Sequence, residues 1–416
     1  MKILLAPFGS RGDVHPMIAV AQRLDREGHD VLIAGPPDYV AAAERRRLRY
    51  HAYGSAIDKF LADTAADYAG GSRRSHRALN RAIEMAIDDE FAALPALARG
   101  FDLIVGASVQ AGAPSVAELL GIPYRYVVYC TALVPSPQSV PMLFPARSLP
   151  RWCIPLAWRL VRWGYNLSMR KQVNAHRAAL GMAPIDDVIS QVLTERPVLA
   201  CDEALWPVPA DATPAPAQVG YLTLSDDRSL SRELEAFIDG GDPPVYVGFG
   251  STGEVDAGAT TRLMVEALRI AGRRGVILHG VGGLARGPLP EGMIATGDCD
   301  HAKLFPRMAA VVHHGGAGTT ATASRAGVPQ VIVAHLNEQY GWGRQTHRLG
   351  IGVWPIPRSK LTAAWLGAAI SQAATDVALA REAKAIAARL RETDPLENAL
   401  RELVDSPENK RSTSTE

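Results

Sequence analysis

One pattern, strand then glycine turn then helix then strand, occurs twice in this chain, and it constrains the fold more than any other feature. In the first half the apolar run Ile3–Phe8 leads through Gly9-Ser10-Arg11-Gly12 to a helix-periodic segment from about Pro16 to Glu27, then to a strand at Val31–Ala34. In the second, Val245–Phe249 leads through Gly250-Ser251-Thr252-Gly253 to a helix over about Ala259–Gly272, then to Val276–Leu278. Short, continuously apolar strands alternating with helices predict parallel sheets covered on both faces. Between the halves, Pro207, Pro209, Pro214 and Pro216 interrupt Ala, Thr and Asp, and proline at this density stiffens a connector. The expectation is therefore an α/β chain of two doubly wound domains, 1–205 and 219–395, joined by a linker at 206–218. Their strand ends, where such sheets gather ligands, would face each other across a cleft. Residues 396–416 read as a C-terminal helix packing back towards the first domain, followed by a frayed polar tail from Ser406.

Composition excludes several classes. With Lys+Arg 44 against Asp+Glu 43, the net charge of +1 gives no footprint for nucleic acid. Cys130, Cys153, Cys201 and Cys299 form no CxxC pair, so neither a disulfide framework nor a zinc site is expected, and a reducing cytoplasm is the natural setting. Gly-Ser-Arg-Gly-Asp follows Phe8 where a signal peptide would still need apolar residues, and no uncharged apolar stretch reaches the length of a membrane helix.

The most informative stretch is Val311-Val312-His313-His314-Gly315-Gly316-Ala317-Gly318-Thr319-Thr320, a strand running through a glycine turn into a helix that reaches about Arg325. Glycines let a ligand approach the backbone and a helix start offers free N–H groups, so this is an anion or phosphate site by construction, or else simply a tight turn that needs small residues. Downstream, Gly327-Val328-Pro329 breaks the helix. The strand Val331–Ala334 ends at His335, and Asn337-Glu338-Gln339 follow at its carboxyl end.

Taken together, His-His-Gly-Gly-Ala-Gly-Thr-Thr, then Arg325-Ala326-Gly327-Val328-Pro329, then an acid-Gln pair before Trp342-Gly343, resemble the donor-binding signature of family 1 nucleotide-sugar glycosyltransferases of the GT-B fold, two Rossmann-like domains facing across a cleft. Gly9-Ser10-Arg11-Gly12-Asp13-Val14-His15-Pro16 resembles the sterol and antibiotic-aglycone subgroup, and the strand order fits along nearly the whole chain. The resemblance implies that the backbone around Gly316, Ala317, Gly318 and Thr319, with His313, holds the diphosphate, that Ser251 adds a phosphate contact, and that Glu338 and Gln339 bind sugar hydroxyls. The family often has Asp where this chain has Glu338, one methylene longer.

For the base, relatives with Gly-His-x-x-Pro align a histidine with Asp13. A carboxylate can accept the acceptor hydroxyl's proton if it lies within hydrogen-bond reach, and His15 is the rival, with an ordinary pKa suited to neutral pH. Asp13 could instead serve only to cap the helix. No Trp occurs between Trp206 and Trp342 to stack a uracil, and Ala321 stands eight residues beyond His313, where relatives carry a ribose-binding Glu. Both UDP- and dTDP-sugars therefore remain open as donors.

Two motifs are decoys. Gly248-Phe249-Gly250-Ser251-Thr252-Gly253 spells a dinucleotide fingerprint, yet no acid follows the next strand, so NAD is not expected. Asp298-Cys299-Asp300 spells a metal-binding DxD, but the resemblance implies catalysis without metal or other cofactor, the nucleotide-sugar being a co-substrate. Between Glu118 and Asp186 there is no acid, and within that window Trp152, Leu156, Leu160, Trp163 and Leu167 recur at helical spacing among several Arg. Such a helix over 151–171 could touch the inner face of a membrane peripherally, or pack on its own domain or line the acceptor pocket.

The expected activity is inverting transfer of a hexose from a UDP- or dTDP-sugar to a hydroxyl of a hydrophobic phenolic, sterol, macrolide or lipid acceptor, giving a β-glycoside. A nucleotide-sugar epimerase, or a non-catalytic nucleotide-sugar-binding relative, is the alternative.

Overall fold

The computed structural model describes residues 1–57, 73–108, 110–141, 149–224, 228–249, 256–279, 284–285 and 287–404, with the side chains of 73–79 and Asn337 left aside. Two sheets form, every strand pair in them parallel. The first has seven strands, ordered β3-β2-β1-β4-β5-β6-β7: β1 Lys2–Phe8, β2 Asp30–Gly35, β3 Arg49–Ala52, β4 Leu103–Ser108, β5 Tyr124–Val128, β6 Val198–Leu199 and β7 Ala217–Gln218. The second has six, ordered β10-β9-β8-β11-β12-β13: β8 Val245–Gly248, β9 Gly275–Leu278, β10 Met293–Thr296, β11 Ala310–His313, β12 Gln330–Ala334 and β13 Ile356–Pro357. The order reverses between β1 and β4 in one sheet and between β8 and β11 in the other. Reversals of this kind open a crevice at the strands' carboxyl ends.

Alternate side chains of the buried strands feed separate cores. Ile3, Leu5, Leu103 and Val105 pack with Val14, Met17 and Ile18 of the helix Arg11–Arg26, while Val245, Val247, Val312 and Val331 pack with Met264, Leu268, Leu366 and Ile370. A third cluster crosses between the domains, joining Val128, Leu199, Cys201 and Tyr221 to Ala321, Ile332, Trp342, Ile386 and Leu390. The helix Pro395–Leu403 leaves the second domain and inserts Ala399, Leu400 and Leu403 into the first domain's core. Arg23 grips its start through Asp394 and Glu397, at 3.2 and 2.6 Å.

Three sequence expectations need correction. The first helix starts at Arg11, not near Pro16, because Asp13 folds back on Ser10 to begin it a turn earlier and Pro16 is carried inside. The stretch 206–218 is not a free linker. Ala217–Gln218 pairs with β6 as the edge strand, and the Gln218 side chain donates to the carbonyls of Cys201 and Trp206, both at 3.0 Å, tying the proline-rich segment to the first domain. Val219 and Leu222 also belong to the first domain's core, so the crossover to the second falls later, ahead of the helix Arg232–Asp239. The tail expected to fray, 406–416, lies outside the described residues.

The acid-free window forms a turn at Arg151–Cys153 and then the helix Ile154–Ala179. One face packs on the first domain through Tyr165, Met169 and Val173. The stripe Trp152, Leu156, Leu160, Trp163, Leu167 faces away from that packing and is exposed.

Candidate active site

At the carboxyl end of β1 the chain turns through Gly9, whose φ is 152°. A Cβ there would run into the Asp13 carboxylate, so only glycine leaves room for that side chain to fold back. Asp13 Oδ2 accepts from the Ser10 N–H at 2.7 Å and from its hydroxyl at 3.0 Å. Tyr129, just past β5, donates its hydroxyl to the Asp13 carbonyl at 2.8 Å, locking the helix start against the sheet. Burial raises the Asp13 pKa above the ordinary carboxylate value, against smaller lowering contributions from hydrogen bonds to Ser108 and Ser10.

His15 lies two residues on, about 200° around the helix, so the two side chains cannot face the same space. Its ring stands edge-on to Tyr39 at 5.9 Å. Burial, reinforced by the charge of Arg11, lowers its pKa to about 3. An imidazole held neutral so firmly is a weak proton acceptor.

Across the cleft, β11 ends at His313 and the chain turns through Gly315, whose φ is 90°. A Cβ on Gly315 would come within 2.7 Å of the Ile332 side chain and 2.8 Å of the Gln339 carbonyl, so this turn too demands glycine. The helix Ala317–Ala326 starts from Gly316, and residues 316–319 are partly exposed. The N–H groups of Ala317, Gly318 and Thr319 are thus first-turn donors open to an anion.

The resemblance implied a diphosphate contact for His313, and the structure corrects this. His313 is fully buried: its Nδ1 accepts from the Gly315 N–H at 3.1 Å and its Nε2 meets Gln330 Oε1 at 3.0 Å. With both nitrogens engaged and burial lowering its pKa to about 4, it braces the turn as a neutral ring. His314, which the sequence reading passed over, borders the helix start instead. A Cβ on Gly316 would lie 2.5 Å from its Nε2, and its Nδ1 is buried without a hydrogen-bond partner. Strand alternation was the available signal, since neighbouring residues at a strand's end point to opposite faces. The ribose comparison shifts likewise: Ala321 is buried in the interdomain cluster and could not reach a ligand, whereas the neighbouring Thr322 is partly exposed.

After β12, Gln339 turns back so that its Oε1 accepts from the N–H groups of His335 at 2.8 Å and Leu336 at 3.1 Å, capping the helix Asn337–Arg348. Its amide N–H groups are what it can offer a ligand. Glu338, beside it, has its pKa raised to about 7, by burial first and then by the charge on Asp13, with the Trp342 indole pulling the other way. The candidate base and the candidate sugar-binding acid therefore sense each other from opposite domains. Ser251 and the turn Gly250–Gly253 lie outside the described residues.

The DxD carboxylates have other partners. Asp298 bridges Arg11 of the first domain at 2.5 Å and Arg228 at 3.4 Å, and Asp300 caps the helix His301–Leu304 through the Ala302 N–H at 2.9 Å. Elsewhere on the domain boundary Asp202 takes Arg325 in two bonds, Trp206 stands edge-on to Trp342 at 5.0 Å, and the Tyr221 hydroxyl fills the space a side chain at Gly318 would need.

Residues 3–133 match the family 28 glycosyltransferase N-terminal domain, and residues 284–404 match the erythromycin biosynthesis protein CIII-like C-terminal domain. The chain is 35% identical to the vancomycin aglycone glucosyltransferase of Amycolatopsis orientalis over 98% of each chain. It belongs to the family 1 glycosyltransferases of the GT-B fold. This glycosyltransferase is also 30% identical to a sterol 3-beta-glucosyltransferase of Arabidopsis thaliana, over 89% of its own length and 62% of that protein. In fold it matches the solved glycosyltransferase of kitacinnamycin, with a TM-score of 0.71 and 20% identity over 96% and 97% of the two chains. VinC, solved in complex with dTDP, matches at 0.69 and 19% over 99% and 100%.

Proposed function

We propose that this glycosyltransferase moves a hexose from a UDP- or dTDP-sugar, bound by the second domain, to a hydroxyl of a hydrophobic small molecule held by the first, with inversion and without a metal ion. The observation that carries the reading is the open helix start at Gly316–Thr319, with Asp13 of the first domain near enough to Glu338 of the second for its charge to raise the Glu338 pKa. The relatives named for vancomycin aglycone and sterol point the acceptor towards bulky, largely apolar molecules, and the dTDP complex of VinC points the donor towards a pyrimidine nucleotide.

Asp13 withdraws the acceptor hydroxyl's proton as its oxygen attacks the anomeric carbon from the face opposite the diphosphate. Charge then grows on the departing diphosphate, where the N–H groups of Ala317, Gly318 and Thr319, with the dipole behind them, are already oriented to receive it. His314 is placed to border the same group. The Gln339 amide and the Glu338 carboxyl orient the sugar, and an α-linked donor leaves as a β-glycoside. The four cysteines are unpaired thiols, which suits a reducing cytoplasm.

The test is product analysis with UDP- and dTDP-hexoses, with and without an aglycone panel. A β-glycoside that appears only with acceptor supports the reading. Conversion of the sugar without acceptor, or a retained anomeric configuration, overturns it.

A further inference from the structure

The stripe on the helix Ile154–Ala179 and its leading turn lies outside the residues assigned to the transfer site, and it leaves five large apolar side chains in solvent: Trp152 is 80% exposed, Leu156 53%, Leu160 49%, Trp163 63% and Leu167 68%. Scattered apolar residues on a surface need no explanation, but a contiguous row with two Trp does. At about 100° per residue these five fall within a sector of about 80°. Arg159 and Arg170 fall in or beside the same sector, Lys171 sits at its edge, and Arg151 opens the turn. All four cations are exposed.

Of the acids on neighbouring elements, exposed Asp186 stands at the helix's flank, its carbonyl accepting from Arg170 at 3.4 Å, and the others are engaged or lie to one side. Asp187 holds Arg162, and Asp88 takes His176 and Gln172 at 2.7 Å each. Glu84 lies in a groove beside Leu167 on the packed flank. No carboxylate occurs in the sequence between Glu118 and Asp186, so the helix itself carries none. A second copy of this face, meeting it about a two-fold axis, would set Arg against Arg with no acid of the helix to answer them. A surface that is apolar below and anionic above matches it better. Trp rings rest at the boundary between acyl chains and headgroups, and Arg and Lys reach from the same face to lipid phosphates.

We propose that this face docks the enzyme in the plane of an anionic lipid bilayer. No helix among the described residues is long and apolar enough to cross a membrane, so the contact is interfacial. The helix belongs to the first domain, and Arg177 on its buried side reaches Ser115 and Glu118 of the helix Ala113–Leu120, at 3.0 and 2.9 Å. Docking would thus present the first domain to amphiphilic molecules dissolved in the bilayer. The proposal concerns a surface apart from the transfer site and stands or falls without it.

The test is co-sedimentation of the full chain with large vesicles, either of equal parts phosphatidylglycerol and phosphatidylcholine or of phosphatidylcholine alone, with Trp emission read in parallel. Binding should favour the anionic vesicles, weaken on adding salt and shift Trp emission to the blue. The double variant W152S/W163S should bind at least about tenfold more weakly, and R159Q/R170Q should lose most of the preference for anionic vesicles. Both should keep the parent's circular dichroism and its turnover of a water-soluble acceptor. Failure of the folded parent to bind anionic vesicles, or undiminished binding by both variants, overturns the proposal. So does a concentration-dependent dimer that W152S/W163S abolishes, which would assign the face to a second copy.

Discussion

Asp202 and Arg325 form a two-point ion pair across the domain boundary, Nη1 to Oδ2 at 2.7 Å and Nη2 to Oδ1 at 2.6 Å, with Asp202 buried. Arg325 ends the helix whose start is the candidate diphosphate site, so this pair fixes that helix against the first domain. Replacing Asp202 by Ala strands a guanidinium in a mostly dry boundary and should cost about 3 kcal/mol. The D202A/R325A pair of changes should cost less than the sum of the two single ones, which chemical denaturation of all three variants would measure.

Asp13→Asn preserves the shape of the side chain and its role at the helix start, but removes the proton acceptor. Transfer should fall by about 10²–10⁴-fold, while thermal-shift binding of the donor nucleotide stays near that of the parent. His15→Ala should lose no more than a few-fold in kcat/KM, about the scale of a packing change beside Tyr39. The reverse ranking would make His15 the base.

The pH dependence should separate the two cleft carboxyls. Glu338 ionises at about 7 and only then accepts sugar hydroxyls as a charged group. The donor KM of the parent should therefore fall as pH rises through about 7, and the Glu338→Gln profile should be flat there. In Asp13→Asn, where the neighbouring charge is gone, the Glu338 transition should move to lower pH.

Gly315→Ala places a methyl group against Ile332 and the Gln339 carbonyl on a backbone at φ 90°. Two to three kcal/mol of strain, on the order expected for a non-glycine residue forced into such a turn, should distort the Gly316–Thr319 N–H groups. Isothermal titration should show dTDP or UDP binding weakened by at least about tenfold.

Glu90 is fully buried, accepts from the Gly112 N–H at 2.5 Å, and burial raises its pKa from 4.5 to about 8. A carboxyl whose pKa is raised by folding contributes its stability below 4.5 and loses it as pH rises towards 8, at about 1.4 kcal/mol per unit. Glu90→Gln should match the parent near pH 4 and exceed it by on the order of 4 kcal/mol at pH 8, as urea titrations at the two pH values would show.

What the sequence disclosed, it disclosed through local pattern. The strand–turn–helix units, the helix start at Gly316 and the acid-Gln pair are all spelled by near neighbours, and the sheets formed where the apolar runs lay. The misses are long-range or one residue wide. Nothing local tells that Gln218 will tie the proline-rich stretch to Cys201, or that Asp202 will meet Arg325. His313 and His314 read alike in a motif, and only the strand's alternation, fixed by packing, sends the first inward to Gln330 and leaves the second beside the turn. The stripe from Trp152 to Leu167 reads as one helical face, but its exposure depends on which elements the fold places over it.

The return of the helix Pro395–Leu403 to the first domain's core bears on how the protein is made. Because Ala399, Leu400 and Leu403 complete that core, the half built from the earliest codons cannot close its interior until residue 403 has left the ribosome. The second domain, whose own sheet needs nothing beyond Pro357, has all its strands available sooner. Synthesis order need not be folding order, and a nascent chain halted before residue 395 would carry every strand of the second sheet tethered to a first domain whose core lacks three of its side chains.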